Sequence, residues 1–390
     1  MLALGVGWLV GASLLWQTDV PDSLVLPEVD VPVPQDDLDR AERYETFMRW
    51  SFLSSQLVAV VVLLLYAWRG ARFARESAAG RIGTGMLLGM LGLALVWLSQ
   101  IPFQAAELWW QRRYGLWTTG YLDWFFENWV VLAAEFLFIC LWLMITMALA
   151  AVFRRRWWLA ATPVFVGLAL LFGFVYPYLV INKRDPPADL ERAAERYARQ
   201  QGTDEIKLVV EEVSDFTDAP NAYATGLGPS RRIFLWDTLI DGRFDDDEVR
   251  MVLAHEIAHH SRSHLWKGIA WYALLSLPLL AAVGRLTRRR GGIYEPHAVP
   301  LALLALVVGG IALQPLSSAV GRELEAEADW IALETTRDPA AARGLFEAFT
   351  LEALQDPTPP AWAHQLFSSH PSVEERIAMA EAWRRLRDRP

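Results

Sequence analysis

Cysteine occurs once in the 390 residues, as Cys140 inside an apolar run. An intrachain disulfide is therefore excluded, and so is a thiolate metal site. Lysine is limited to Lys183, Lys207 and Lys267, and the net charge is -9. That balance leaves no basic surface for nucleic acid, which we exclude as a partner. Arginine supplies nearly all of the positive charge, a bias expected of GC-rich coding and so of a bacterial source. No internal repeat is present.

What the chain has in quantity is apolar sequence, 54% of residues, high for a soluble protein. It is bunched into seven runs, near 2–16, 51–68, 83–103, 128–152, 157–181, 266–286 and 299–317. Roughly 20 such residues carry a helix across a bilayer. The first run is short but lacks a basic n-region and a small-x-small cleavage site, so a span is favoured over a signal peptide. Residues 17–50 read as an acidic, proline-rich loop. Tryptophan and tyrosine gather near helix ends (Trp109, Trp117, Trp157, Tyr178), as in an interfacial belt, although packing aromatics would look alike. Glu135 lies in the fourth run. It suits either a water-filled interior or a helix–helix hydrogen bond.

Two stretches are not membrane-like. In 182–265, Leu190 to Gln201 reads as a helix. Ile206 to Val213 and Arg232 to Trp236 read as strands, joined by the turn-rich DAPNAYATGLGPS. Asp245 to Asp247 cap a helix expected to reach about His264. In 318–390, helices are expected over Ser318 to Thr336, after Pro339 and from Val373. The predicted fold is mainly α: a polytopic membrane protein of about seven spans with a small-sheet α+β catalytic domain of gluzincin type. Its parts are a membrane domain, 1–181, then 182–265, two spans in 266–317, and 318–390.

The chemistry sits in LAHEIAHH. His255 and His259 are i and i+4, so both imidazoles leave one helix face. Two neutral imidazoles so placed bind one Zn²⁺ and leave positions open, with Glu256 beside the first as general base. A third protein ligand is needed, and GRELEAEADWIAL offers Glu323, Glu325 and Glu327. One helical turn on, Glu325 has Asp329, Glu323 has Glu327 and Glu327 has Ile331. An aspartate there can take the second N–H of a ligating histidine. This pairing selects Glu325 as ligand and Asp329 as its helper, against the alternative of a solvated acidic face. His260, rotated about 100° from His259, and His264, a turn or more beyond it, read as packing or surface residues. Two spans separate the motifs, an even number that returns the chain to the same side.

These motifs resemble those of the zinc-dependent type I CaaX prenyl proteases, seven-helix membrane metallopeptidases of family M48, with the bacterial HtpX proteases as more distant cousins. HEIAHH resembles the family's H-E-x-x-H helix. GRELEAEAD resembles its S-R-x-x-E-x-x-A-D helix, with Gly321 where serine is usual. NAYATG (221–226), HPSVEER (370–376) and RRYGLWT (112–118) resemble further family segments. The last favours the prenyl-protease branch. The resemblance implies helices enclosing an intramembrane chamber and one zinc per chain. It makes His370 the donor to the oxyanion, with Arg376 holding or assisting it. It makes Asn221, Ala222, Tyr223, Ala224 and Thr225 an edge strand for an extended peptide substrate.

Three functions follow as alternatives: a processing protease for lipidated or membrane-tethered C-termini, a membrane quality-control endopeptidase, or an inactive zinc-bearing scaffold. Expected partners are the bilayer and peptide or protein substrates, membrane-associated ones among them. For orientation, the N-terminal side of the alternating loops carries Arg69, Arg72, Arg75, Arg81, Arg154 to Arg156, Arg285 and Arg288 to Arg290. Short arginine-rich loops stay cytoplasmic, which predicts an extracytoplasmic site. The family's eukaryotic members imply the opposite.

Overall fold

The structure is a computed structural model and describes residues 2–70, 72, 73 and 79–388. Arg75 lies outside the described residues. The chain is mainly helical. Helices α1 (Leu2–Leu15), α2 (Gln35–Arg69), α3 (Gly80–Tyr114), α4 (Tyr121–Phe153) and α5 (Trp157–Leu179) come first. Strand β1 (Lys183–Arg184), helix α6 (Ala188–Gln200), and strands β2 (Lys207–Glu211), β3 (Ala222–Thr225) and β4 (Arg232–Trp236) follow. Then come α7 (Asp246–Ser261), α8 (His264–Thr287), α9 (Val299–Thr336), α10 (Pro339–Glu352), α11 (Ala361–Phe367) and α12 (Val373–Arg387).

Among the described residues, five helical stretches are long and apolar enough to cross a membrane. One of them, Tyr121–Leu179, contains both α4 and α5, joined through Arg154–Arg156. The shorter α1, with 14 residues, rises only about 21 Å against a hydrocarbon core of about 30 Å. Glu135 is exposed on α4 and forms no hydrogen bond among the described residues.

Several helices outrun their apolar runs. The loop expected over 17–50 stops at Pro34, because QDDLDRAERYETFMRW continues α2 toward its N-terminus. Asp36 and Asp37 in the first turn oppose the helix dipole favourably there. Likewise α3 continues to Tyr114 and ends on Gly115, whose φ of 82° is left-handed. The last span and the Ser318–Thr336 helix are one helix, α9, of 38 residues and about 57 Å. The segment that bears Glu325 thus continues a membrane helix without a break. Conversely, the helix expected to reach His264 stops at Ser261. Ser263 adopts φ 57° and the chain turns into α8.

The loops sort to two ends. Arg290 donates to Ala67 O at 2.6 Å and Arg81 pairs with Glu295 at 3.1 Å, joining the turns after α2 and α8. At the other end Thr118 N–H donates to Phe216 O at 3.0 Å, docking RRYGLWT on the polar domain. One apolar core joins α6, the sheet, α7, α10, α12 and the end of α9, and a second joins α3, α4, α5, α8 and the start of α9.

Candidate metal centre

The helix that carries His255 and His259 is built to hold them still. Its first turn has Asp246, Asp247 and Glu248, and Glu248 accepts the Asp245 backbone N–H at 2.9 Å. Leu253, Ala254, Ile257 and Ala258 are fully buried, so the motif sits inside the core. Against it packs the last third of α9.

Three side chains converge there. His255 Nε2 lies 3.1 Å from His259 Nε2 and 3.2 Å from Glu325 Oε2, and His259 Nε2 lies 3.6 Å from Glu325 Oε1. Four-coordinate zinc with N and O bonds of about 2.0–2.1 Å spaces its ligand atoms by about 3.3 Å. The residues fit that ion. Glu325 Oε2 is buried without a hydrogen-bond partner, the state of an atom reserved for a cation. Glu323 and Glu327 are outside the convergence of His255, His259 and Glu325.

Asp329 accepts from His255 Nδ1 at 2.9 Å, which leaves a lone pair on Nε2 facing the other two ligands. Burial alone would lower the His255 pKa, but the Asp329 and Glu325 carboxylates lift it to about 10. Burial pushes His259 the other way, down to about 3. Glu256 is buried beside them, and burial pushes its carboxyl up to about 7.

The sheet supplies one wall. Its order is β1-β2-β4-β3, with β2 and β4 parallel and the other pairs antiparallel. Strand β3 is therefore an edge; of the five residues expected there it holds Ala222 to Thr225, and Asn221 lies just before it. Trp236 N–H donates to Asn221 O at 3.0 Å. Alternation then turns the N–H and C=O groups of Ala222 and Ala224 away from β4, toward α7. The Ala224 backbone amide lies close enough to the Glu256 carboxylate to favour its charged form. Tyr223 points elsewhere, stacking on Phe234 and donating to Glu211 at 2.9 Å.

His370 enters from the loop before α12, with Nε2 3.3 Å from Glu325 Oε2. Ser369 Oγ sits 3.1 Å from its Nδ1. If that hydroxyl donates, the ring proton is on Nε2, facing the site. The loop is held by Arg322, which donates to Ser368 O at 2.7 Å and His364 O at 3.0 Å. It presses on Gly321, where an added Cβ would meet Ser369 O at 2.8 Å. Arg376, expected to hold or assist His370, forks onto Asp329.

Two histidines sort differently. His260 is a packing residue, its Nε2 3.1 Å from Arg232 O. His264, expected to be one as well, lies with Nδ1 2.9 Å from His259 Nδ1. The left-handed turn at Ser263 brings it back to the site. Only a helix-break signal at Ser261–Ser263 could have revealed this, and the sequence has neither glycine nor proline there.

Comparison with known proteins agrees with this picture. The family described as "Peptidase family M48" matches residues 185–384, just over half of the chain. A Bacillus subtilis protein named "Uncharacterized metalloprotease YhfN" is 32% identical over 58% of this chain and 57% of its own length. An Arabidopsis thaliana protein named "CAAX prenyl protease 1 homolog" is 29% identical over 54% of this chain and 52% of its own. The matched region thus spans a little over half the length of these two relatives. Bacterial proteins named "Protease HtpX homolog" match as well. The crystal structure of S. mikatae Ste24p superimposes with a TM-score of 0.73 over 97% of this chain and 96% of that one, at 16% identity. The fold is shared along essentially the whole chain.

Proposed function

The chain belongs to peptidase family M48, and from that premise we propose that it is a membrane zinc endopeptidase. His255, His259 and Glu325 hold one zinc ion, and the substrates are extended polypeptides. The observation that carries this reading is the convergence of two imidazole nitrogens and one carboxylate at 3.1–3.6 Å, with one imidazole oriented by Asp329.

A zinc ion held by His255, His259 and Glu325 would supply an acidified water and polarise the scissile carbonyl. Glu256, buried beside the histidines, would accept a proton from the attacking water and deliver it to the leaving amine. Its raised pKa, about 7, suits both transfers near neutrality. His370 donates through Nε2 to the carbonyl oxygen as negative charge develops on it. The outward C=O and N–H groups of β3 hold the substrate backbone as an added strand. Cavities of about 440 and about 450 Å³ flank the ligands, and Ala222, Glu256 and His370 border both. That supports a chain passing through the site, cut internally.

A second reading, C-terminal processing of CaaX type, is favoured by the name of the Arabidopsis relative. Dependence of cleavage on a prenyl group separates it from general membrane quality control. We read residues 1–181 and 266–317 as the membrane part and 182–265 with 318–390 as the catalytic part. We place the catalytic end outside the cytoplasm, supported by the arginine-rich turns gathered at the opposite end.

The test is cleavage of an unstructured peptide by the purified full chain in detergent. A zinc chelator should abolish it, zinc should restore it, and Glu256→Gln should cleave nothing while holding zinc. Cleavage by Glu256→Gln at the normal rate would sink the proposal. The same variant, recovered with bound membrane-associated peptides, would identify substrates by mass spectrometry.

A further inference from the structure

A second line of hydrogen bonds leaves the metal centre through His259. Beyond His264, whose Nδ1 meets His259 Nδ1, His264 Nε2 lies 2.8 Å from Glu327 Oε2. The same oxygen accepts from Lys267 Nζ at 2.8 Å, and Glu327 Oε1 accepts the Asp19 backbone N–H at 2.8 Å. Lys267 also donates to Gln17 O at 3.2 Å, and Arg262 pairs with Asp19 at 2.6 Å. His264 and Glu327 are 4% and 1% exposed.

Proton placement follows from the ends inward. Glu327 accepts from an ammonium and a backbone N–H, so it is a carboxylate with no proton to give. The hydrogen on its contact with His264 must then sit on His264 Nε2. A neutral His264 is left with a bare Nδ1, which accepts from His259 Nδ1–H. His259 in turn presents the lone pair of Nε2 toward His255 and Glu325. Each step selects one tautomer, and the last is the tautomer a metal requires.

We propose that Glu327 and His264 are positioning residues forming a second carboxylate–histidine relay, directed at His259 as Asp329 is directed at His255. The segment Gln17–Asp19 completes it. This gives the N-terminal loop a task. Between α1 and α2 it runs over the catalytic domain, with Val20, Leu24, Val29 and Val31 packed on the core, and its backbone reaches the buried carboxylate that anchors the relay. It also explains the acidic run in GRELEAEAD: Glu325 faces the metal, and Asp329 and Glu327 each fix one imidazole.

The inference rests on the reading of His259 as a zinc ligand, and the experiment separates the two. Zinc affinity of the full-length chain in detergent is measured by competition with a chromophoric chelator. His259→Ala must lose zinc, and if it does not, the ligand reading fails. His264→Phe keeps the ring but has no acceptor, and should bind zinc roughly 10–100-fold more weakly. His264→Asn offers Oδ1 to the His259 N–H and should recover most of that loss. The visible spectrum of Co²⁺-loaded protein should shift in His264→Phe and return in His264→Asn. Asp19→Pro deletes the N–H that meets Glu327 and should weaken zinc, while Asp19→Ala keeps that N–H and should not. Wild-type affinity in His264→Phe, or equal weakness in Phe and Asn, would overturn the relay. If His264→Phe does not fold, the Asp19 pair decides: equal affinities for Pro and Ala would overturn it.

Discussion

Arg376 grips Asp329 with two parallel hydrogen bonds, Nε to Oδ2 at 2.8 Å and Nη2 to Oδ1 at 2.6 Å, while that same Oδ1 accepts from His255 Nδ1. A fork of this kind fixes the plane of the carboxylate, and through it the plane of the imidazole. Arg376 also stacks over Phe346, its guanidinium carbon 4.2 Å from the ring centre, so it cannot easily swing away. We expect Asp329→Asn to weaken zinc by roughly 10–100-fold. Arg376→Lys, unable to make the fork, should weaken zinc in the same direction. Zinc affinity measured by chelator competition decides it, and unchanged binding in both variants would refute the role.

The ligands and the base should separate cleanly. His255→Ala, His259→Ala and Glu325→Ala should each lose both zinc and peptidase activity. Glu256→Gln should hold one zinc per chain and cleave nothing. Glu323→Ala should retain both properties, because Glu323 lies outside the convergence of His255, His259 and Glu325. Metal analysis beside a cleavage assay would show a wrong ligand assignment at once: Glu323→Ala would then strip zinc while Glu325→Ala did not.

His370→Phe should lower kcat by roughly 10²–10³, the scale of a lost oxyanion donor, with zinc content unchanged. A parallel fall in zinc occupancy would mark His370 as structural instead.

Gly321 should matter for the same step. An alanine Cβ there would meet the Ser369 carbonyl oxygen at 2.8 Å, so the backbone bearing His370 must move. Gly321→Ala is expected to reduce kcat while leaving zinc in place. Combined with His370→Phe it should cost little more than His370→Phe alone, since the two act on one contact. Full additivity would dissociate them.

Orientation can be read by labelling intact cells with a membrane-impermeant maleimide, in a Cys140→Ser background. Glu205 and Arg155 are both exposed and lie at opposite ends. Label on Glu205→Cys and none on Arg155→Cys is the expected result. The reverse pattern would put the site in the cytoplasm.

The sequence by itself determined the parts that depend on local spacing. Two histidines four residues apart must share a helix face, and an aspartate four residues after Glu325 must share another, whatever surrounds them. Six of the seven apolar runs likewise fall in the five stretches long enough to cross a membrane, because hydropathy is a property of the segment alone; the first forms a helix of only 14 residues. Helix ends were less legible. The polar half of α2 and the single helix made of the last span and the third-ligand segment lie where hydropathy changes but helicity does not. Tertiary structure alone decided which partner each buried polar group would find. Arg376 reaches Asp329 across 47 residues, His264 reaches Glu327 across 63, and the Asp19 N–H meets that glutamate across 308. Such pairings are set by how α7, α8, α9 and the N-terminal loop pack. A buried donor or acceptor must be satisfied by whatever that packing brings within about 3 Å, and sequence distance does not enter.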